Sequence, residues 1–371
     1  MTNQAHNRVY NFSAGPSMLP LEVLEEAHSN FLNHEGTGMN VMEMSHRSKP
    51  YMKIIGEARD NMRSVLNVPD NYEILFLQGG ASQMFATIPL NLLGDKKKAA
   101  YALTGTWSKK AIDEAKRYCD VQIVMNTTDN KHTTILPQSS LNIDPEAAYF
   151  HYCYNETIHG VCFDYVPETP EGVPLICDMS SNIFERPIDV SKFGMIYGGA
   201  QKNCSMAGVT FCIVRKDLIG KSEHPLCPTM LKLSIHAKNE SMYNTPTTYG
   251  VYLAGLVFKW LQKKGGLEEM YKINVEKANY LYEIIDSSDF YHGPVEKEFR
   301  SLMNVPFRVG PNGGDADLEK KFLAEAAQVG LVTLAGHRSL GGCRASIYNG
   351  MPIEGCQALA DFMKKFEAEN K

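Results

Sequence analysis

The chain has 371 residues, 44% of them hydrophobic, and a formal net charge of −5. That length suggests ~2 domains of roughly 150 residues each, and the acidic balance excludes a chain built as a whole to bind nucleic acid or an anionic membrane. Its nine cysteines are odd in number and include no Cys-x-x-Cys pair, the pattern of buried thiols in a reducing compartment, with no disulfide framework and no metal site.

The first residues, MTNQAHNRVYNFSAGP, lack the basic start and apolar core of a secretory signal. Residues 1–15 read as an extended arm ending in an Ala-Gly-Pro turn. PLEVLEEAHSNFLN (20–33) has helical spacing with a proline near its start. KPYMKIIGEARDNMRSVLN (49–67) is an amphipathic helix with Met52, Ile55, Met62 and Leu66 expected on or near one buried face.

From Tyr72 the rhythm changes. YEILFL, AAYALTG, VQIVM, AYFHYCYN, PLICDMS, FGMIYGGA and GVTFCIVR are short apolar runs of the kind buried on both faces of a sheet. QGGASQMFATIPLNLL and WSKKAIDEAKRY read as helices between them. Strands alternating with helices over roughly two hundred residues predict an α/β layer with a mainly parallel sheet.

After Thr247 come two helices (247–266 and 267–288), two strand candidates (MNVPFRV and CRASIYN) and two further helices. These predict a smaller α+β domain. The domain reading is an arm at 1–15, a large domain at 16–265 and a small one at 266–371. The longest apolar run, VYLAGLVF, is too short to span a bilayer, so a soluble cytoplasmic protein is expected.

Familiar nucleotide motifs are absent. LIGKS resembles the end of a P-loop, but Arg215 stands where glycine is required. Ligands of such sheets still gather at the carboxyl ends of the strands, and several candidates sit there. LQGGASQ offers a Gly-Gly turn and a helix start, a cradle for phosphate with Ser82 assisting, or an ordinary strand–helix turn. Trp107 stands at a strand–helix junction, where it stacks on a planar ring or simply packs. Asn155, Glu156 and Thr157 follow a strand and, taken alone, read as a polar turn. Asp178 ends a very apolar strand, and Lys202 follows another strand and a Gly-Gly pair.

An acid, an amine, an anion cradle and an aromatic face at strand ends are the four things pyridoxal phosphate requires. Two His-Arg pairs, His46-Arg47 and His337-Arg338, together with Arg344, lie in Gly/Ser-rich settings. They point to a multiply anionic substrate, since the guanidinium fork suits carboxylate and phosphate.

The sequence resembles the phosphoserine aminotransferases, a family of class V (fold type I) pyridoxal phosphate enzymes. The matching stretches are NFSAGPSMLP, MEMSHRS, LQGGASQMF, TGTWSKKA, YNETIHG, CDMSSNI, GGAQKN, YNTPTTY and GHRSLGGCRASIYN, in the family's order from Asn11 to Asn349. The resemblance implies a large domain with a mainly parallel seven-stranded sheet plus a smaller C-terminal domain. It implies pyridoxal 5'-phosphate as cofactor and Lys202 as the Schiff-base lysine. Asp178 would pair with the pyridinium nitrogen, Trp107 would stack on the ring, and Thr157 would meet the ring hydroxyl side. Ala81, Ser82 and Gln201 would hold the cofactor phosphate. Asn244 and Thr245 would reach the neighbouring subunit's cofactor in a homodimer. Arg344 would take the substrate α-carboxylate, and His46, Arg47, His337 and Arg338 the substrate phosphate or the distal carboxylate of L-glutamate.

The implied reaction is amino transfer between L-glutamate and 3-phosphooxypyruvate, giving O-phosphoserine and 2-oxoglutarate in serine biosynthesis. Rival readings are another class V enzyme, such as a cysteine desulfurase or an alanine–glyoxylate aminotransferase, or a catalytically silent scaffold of the same fold. A desulfurase needs a mobile exposed cysteine, for which Cys343 is the one candidate in a Gly/Ser-rich loop. One departure stands out. The family reads Gln-Lys-Asn, an apolar residue, then glycine, whereas this chain has Cys204-Ser205-Met206. If that glycine needs a positive φ, Ser205 is strained.

Overall fold

In the computed structural model the described residues are 5–371, so residues 1–4 of the expected arm lie outside them. The seven apolar runs form seven strands: Tyr72–Leu77, Lys98–Leu103, Asp120–Asn126, Phe150–Cys153, Leu175–Asp178, Met195–Gly199 and Thr210–Arg215. Across the sheet their order is Tyr72, Thr210, Met195, Leu175, Phe150, Lys98 and Asp120. The Asp120, Lys98, Phe150, Leu175 and Met195 strands are parallel neighbours. The Thr210 strand runs antiparallel to both of its neighbours, so the sheet is mainly parallel, as expected. Helices cover both faces, which is why the central strands carry apolar side chains on both sides. One core cluster joins Ile74, Phe150 and Ile213 to the Lys49–Leu66 and Thr248–Lys263 helices. Another joins Leu75, Tyr101, Ile176 and Val214 to the Gly80–Leu92 and Thr106–Ala115 helices.

The C-terminal part builds a three-stranded antiparallel sheet from Tyr291–His292, Asn304–Val309 and Cys343–Ser346. Its core includes Phe307, Phe322, Leu359 and Met363. The Gly266–Ser287 helix serves both units: Leu267 and Met270 pack in the large core, and Ala278, Leu281, Ile284 and Ile285 in the small one. The N-terminal arm returns to the small unit. Tyr10 and Asn11 pair in parallel with Leu331 and Val332, and Tyr10 and Phe12 join the small core.

Two local expectations are corrected. In the Lys49–Leu66 helix, Ile55, Met62 and Leu66 are buried but Met52 is exposed, so it lies off the apolar stripe. Ser205 carries no positive φ. It is buried, its backbone N–H donates to Ala200 O (2.7 Å) and its hydroxyl donates to Gly250 O (2.6 Å). The loop holds a hydrogen-bonded serine there without a left-handed backbone. Cys204 is buried beside it as a packed small side chain.

Candidate active site

The carboxyl ends of five strands meet at one cavity of about 310 Å³. It is lined by Gly80, Ala81 and Ser82 after the Tyr72 strand, and by Trp107 after the Lys98 strand. The Phe150 strand brings Cys153, Asn155 and Thr157, the Leu175 strand Asp178, Ser180 and Ser181, and the Met195 strand Gln201 and Lys202. Ala14 and Gly15 of the arm and His337 and Arg344 of the small unit complete the wall. Strand order explains the gathering: loops leaving adjacent parallel strands at the same edge are neighbours in space.

Lys202 is 8% exposed. Its Nζ donates to Thr157 Oγ1 at 2.7 Å and lies 5.4 Å from the centre of the Trp107 ring. Burial pushes the amine below its ordinary range; Asp178 opposes that shift and Arg344 reinforces it. The backbone around it is tied to the arm: Ser17 N–H donates to Gln201 O (2.9 Å), and the Ser17 hydroxyl donates to Lys202 O. Gly15 must be small, because a Cβ there would sit 3.2 Å from Lys202 Cγ, and its φ is +139°.

Asp178 is buried, and burial raises its carboxyl above the ordinary range, against the hydrogen bonds from Ser180 and the charge of Lys202. Its Oδ1 accepts from Ser180 N–H (2.8 Å) and Ser180 Oγ (2.6 Å), and among the described residues no donor reaches Oδ2. Across the cavity, the Gly80–Leu92 helix begins after Gly79 with no side-chain cap. Gly80 N–H donates to Thr210 Oγ1 (2.7 Å), leaving the Ala81 and Ser82 N–H groups to face an anion. Arg344 donates to Thr157 O at 3.3 Å. His337 lines the same mouth; burial, Arg344, Arg338 and Lys110, in that order, hold its imidazole below its ordinary range.

Asn155, Glu156 and Thr157, which taken alone read as a polar turn, are buried, at 1%, 1% and 3% exposed. Glu156 Oε1 accepts from Ser108 N–H (2.8 Å) and Ser108 Oγ (2.7 Å), and Oε2 accepts from Trp107 N–H (2.9 Å). Asn155 donates to Ser181 Oγ and to Asn304 Oδ1, both at 2.9 Å, and its own Oδ1 is buried without a donor at the cavity wall.

The structure brings together Lys202, Asp178, Ala81, Ser82, Trp107, Thr157, Gln201, His337 and Arg344. It does not bring His46, Arg47, Arg338, Asn244 or Thr245 into the cavity wall of the single chain. Arg47 and Arg338 are exposed. Asn244 donates to Gln78 Oε1 (3.3 Å) and Thr245 O accepts from Gln78 Nε2 (3.0 Å), outside the cavity. Cys343 is buried in a strand instead of exposed in a loop, and burial pushes its thiol well up.

A sheet of this topology, a lysine and a carboxylate at its carboxyl edge and an uncapped helix start facing them define a class, and the comparisons with known proteins agree. The model of the class-V aminotransferases matches residues 9–359, and the chain belongs to that family. A phosphoserine aminotransferase from Chromobacterium violaceum is 52% identical over 360 residues, covering 97% of this chain and 98% of the relative. The solved phosphoserine aminotransferase from Bacillus circulans subsp. alkalophilus matches with a TM-score of 0.95 at 44% identity, over 98% of this chain and 99% of that one. A phosphoserine aminotransferase from Trichomonas vaginalis, solved with pyridoxal phosphate bound, matches with a TM-score of 0.91 at 44% identity, over 96% of this chain and all of that one. Within the class, then, the chain is similar along its whole length to phosphoserine aminotransferases.

Proposed function

We propose that this chain catalyses the reversible, pyridoxal phosphate-dependent transfer of an amino group between L-glutamate and 3-phosphooxypyruvate, giving O-phospho-L-serine for serine biosynthesis. The observation that carries this reading is the single cavity joining Lys202, Thr157, Asp178 and Arg344, in a chain half-identical over its full length to phosphoserine aminotransferases.

The residues present fit the cofactor. Lys202 Nζ is the attachment point. Asp178 Oδ2, which no donor reaches among the described residues, would be the partner for a protonated ring nitrogen. The Trp107 face is the stacking surface, Asn155 Oδ1 and Thr157 serve the ring hydroxyl side, and Ala81, Ser82 and Gln201 take the phosphate. The cofactor supplies an aldehyde for amine exchange and an electron sink for the carbanion at substrate Cα.

The protein's own groups do the rest. Burial favours a neutral Lys202 amine, the form that acts as nucleophile and accepts a proton. With its amine free, Lys202 Nζ would take the proton from substrate Cα as general base and deliver it elsewhere on the same face as general acid. The Arg344 guanidinium, fixed against Thr157 O, orients the α-carboxylate. His337 at the mouth, with Arg338 beside it, takes the phosphate or the distal carboxylate.

His46-Arg47 and Asn244-Thr245 lie off the cavity, which fits residues supplied to a partner's site. Exposed side chains near them in sequence, Met42 and Tyr243, fit a homodimer interface. Among the described residues no helix is long and apolar enough to cross a membrane; a cytoplasmic location accords with that and with the free cysteines. A large domain at 16–265 and a small one at 266–371 is our working division of the chain. The desulfurase reading loses its candidate, since Cys343 is buried, and the silent-scaffold reading is disfavoured by Lys202 and Asp178 in place. The test is the near-visible absorption of the purified protein. Addition of O-phosphoserine should bleach the band far more effectively than addition of serine; a band that responds to serine or alanine but not to O-phosphoserine would discard this substrate.

A further inference from the structure

Glu156 belongs to none of the roles above, yet it is the most heavily bonded acid beside the cavity. Its carboxylate is buried and accepts three hydrogen bonds, from Trp107 N–H, Ser108 N–H and Ser108 Oγ. These come from the first turn of the Thr106–Ala115 helix. A carboxylate there satisfies the free N–H groups and meets the positive end of the helix dipole. The fit is tight: a Cβ on Gly105 would lie 2.5 Å from Glu156 Cδ. The next residue, Thr157, presents the hydroxyl that accepts from Lys202 Nζ. One carboxylate therefore lies between two parts of the site, the indole of Trp107 and the hydroxyl of Thr157, which come from different strands.

We propose that Glu156 is a positioning residue of the reaction: by capping the Thr106–Ala115 helix it sets the tilt of the Trp107 ring, and through the adjoining peptide it fixes the Thr157 hydroxyl against Lys202. The inference rests on the reading of this cavity as the cofactor site, but its first test does not. The chain holds two tryptophans, so Trp260→Phe leaves Trp107 as the only indole emitter. In the cofactor-free full chain carrying that change, Glu156→Gln should shift Trp107 emission to longer wavelength and at least double its quenching by acrylamide. Gly105→Ala, which keeps the carboxylate but crowds it, should shift emission the same way.

In the holoenzyme, without the Trp260 change, Glu156→Gln should weaken the visible circular dichroism of the bound cofactor and move the pH midpoint of its absorption band by half a unit or more. It should lower kcat at least tenfold while changing the KM for glutamate less than threefold. Glu156→Asp should recover part of each effect. Unchanged Trp107 emission and an unchanged pH midpoint, with only a lower melting temperature, would overturn the proposal. So would loss of the cooperative unfolding transition in Glu156→Gln, which would make the carboxylate a general stability element. If the wild-type chain takes up no cofactor, the reading of the cavity fails while the fluorescence arm still judges Glu156.

Discussion

Lys202 shows how residue identity and environment divide the work. The side chain type supplies the amine, but burial lowers its proton affinity and a single hydroxyl, Thr157 Oγ1, holds it. Ser205 shows the converse, a residue that the family pattern led one to expect as strained and that the geometry accommodates. Its hydroxyl bond to Gly250 O ties the lysine loop to the Thr248–Lys263 helix. Ser205→Gly removes that bond and frees the unfolded backbone, so it should destabilise the protein by about 1–2 kcal/mol with little change in activity. Thermal unfolding with a matched activity assay checks this. A higher melting temperature in Ser205→Gly would mean that the serine is strained after all.

At the level of elements, much of the fold was legible and the reasons are local. YEILFL and FCIVR are continuous apolar runs with β-branched and aromatic residues, so their strand character follows from burial on both faces. Glycine pairs at Gly79-Gly80 and Gly265-Gly266 mark helix starts with positive φ, as turn chemistry dictates. The failures are non-local. Asn-Glu-Thr after a strand reads as a polar turn, and nothing in those residues reports that the Trp107 loop folds over them and buries them. That follows only from sheet order, which sets the Lys98 strand beside the Phe150 strand. The arm was legible as extended but not as a strand paired to Leu331 and Val332, a contact more than three hundred residues away in sequence. Lys202, Asp178 and Arg344 were legible as chemistry, and the resemblance implied one site for them; the hydrogen bonds that hold them there, Lys202 to Thr157 and Arg344 to Thr157 O, were not.

For the whole molecule, buried histidines predict the response to acid. His151 hydrogen-bonds to the Tyr197 hydroxyl (2.8 Å), and burial pushes its imidazole from 6.5 down to about 3. His159 meets Thr106 Oγ1 (3.2 Å), and burial first, then His132 and His337, push it down to about 4. Both are neutral in the fold near pH 5, where the unfolded chain protonates them. The unfolded state then binds more protons, so stability rises with pH through this window and falls on acidification. Each should cost about 2 kcal/mol between pH 7 and pH 5. Urea unfolding at the two pH values should show His159→Gln losing about 2 kcal/mol less than the wild type on acidification; an identical loss would place the acid sensitivity elsewhere.

Everything proposed for this cavity depends on Lys202 carrying the cofactor. The most direct measurement is borohydride reduction of the purified protein, followed by protease digestion and mass spectrometry. One modified peptide is expected, spanning the Gln201-Lys202-Asn203 stretch, with the mass of the reduced cofactor on Lys202 and none on Lys277, the other lysine buried among the described residues. Modification of a different lysine, or of none after incubation with the cofactor, would contradict it.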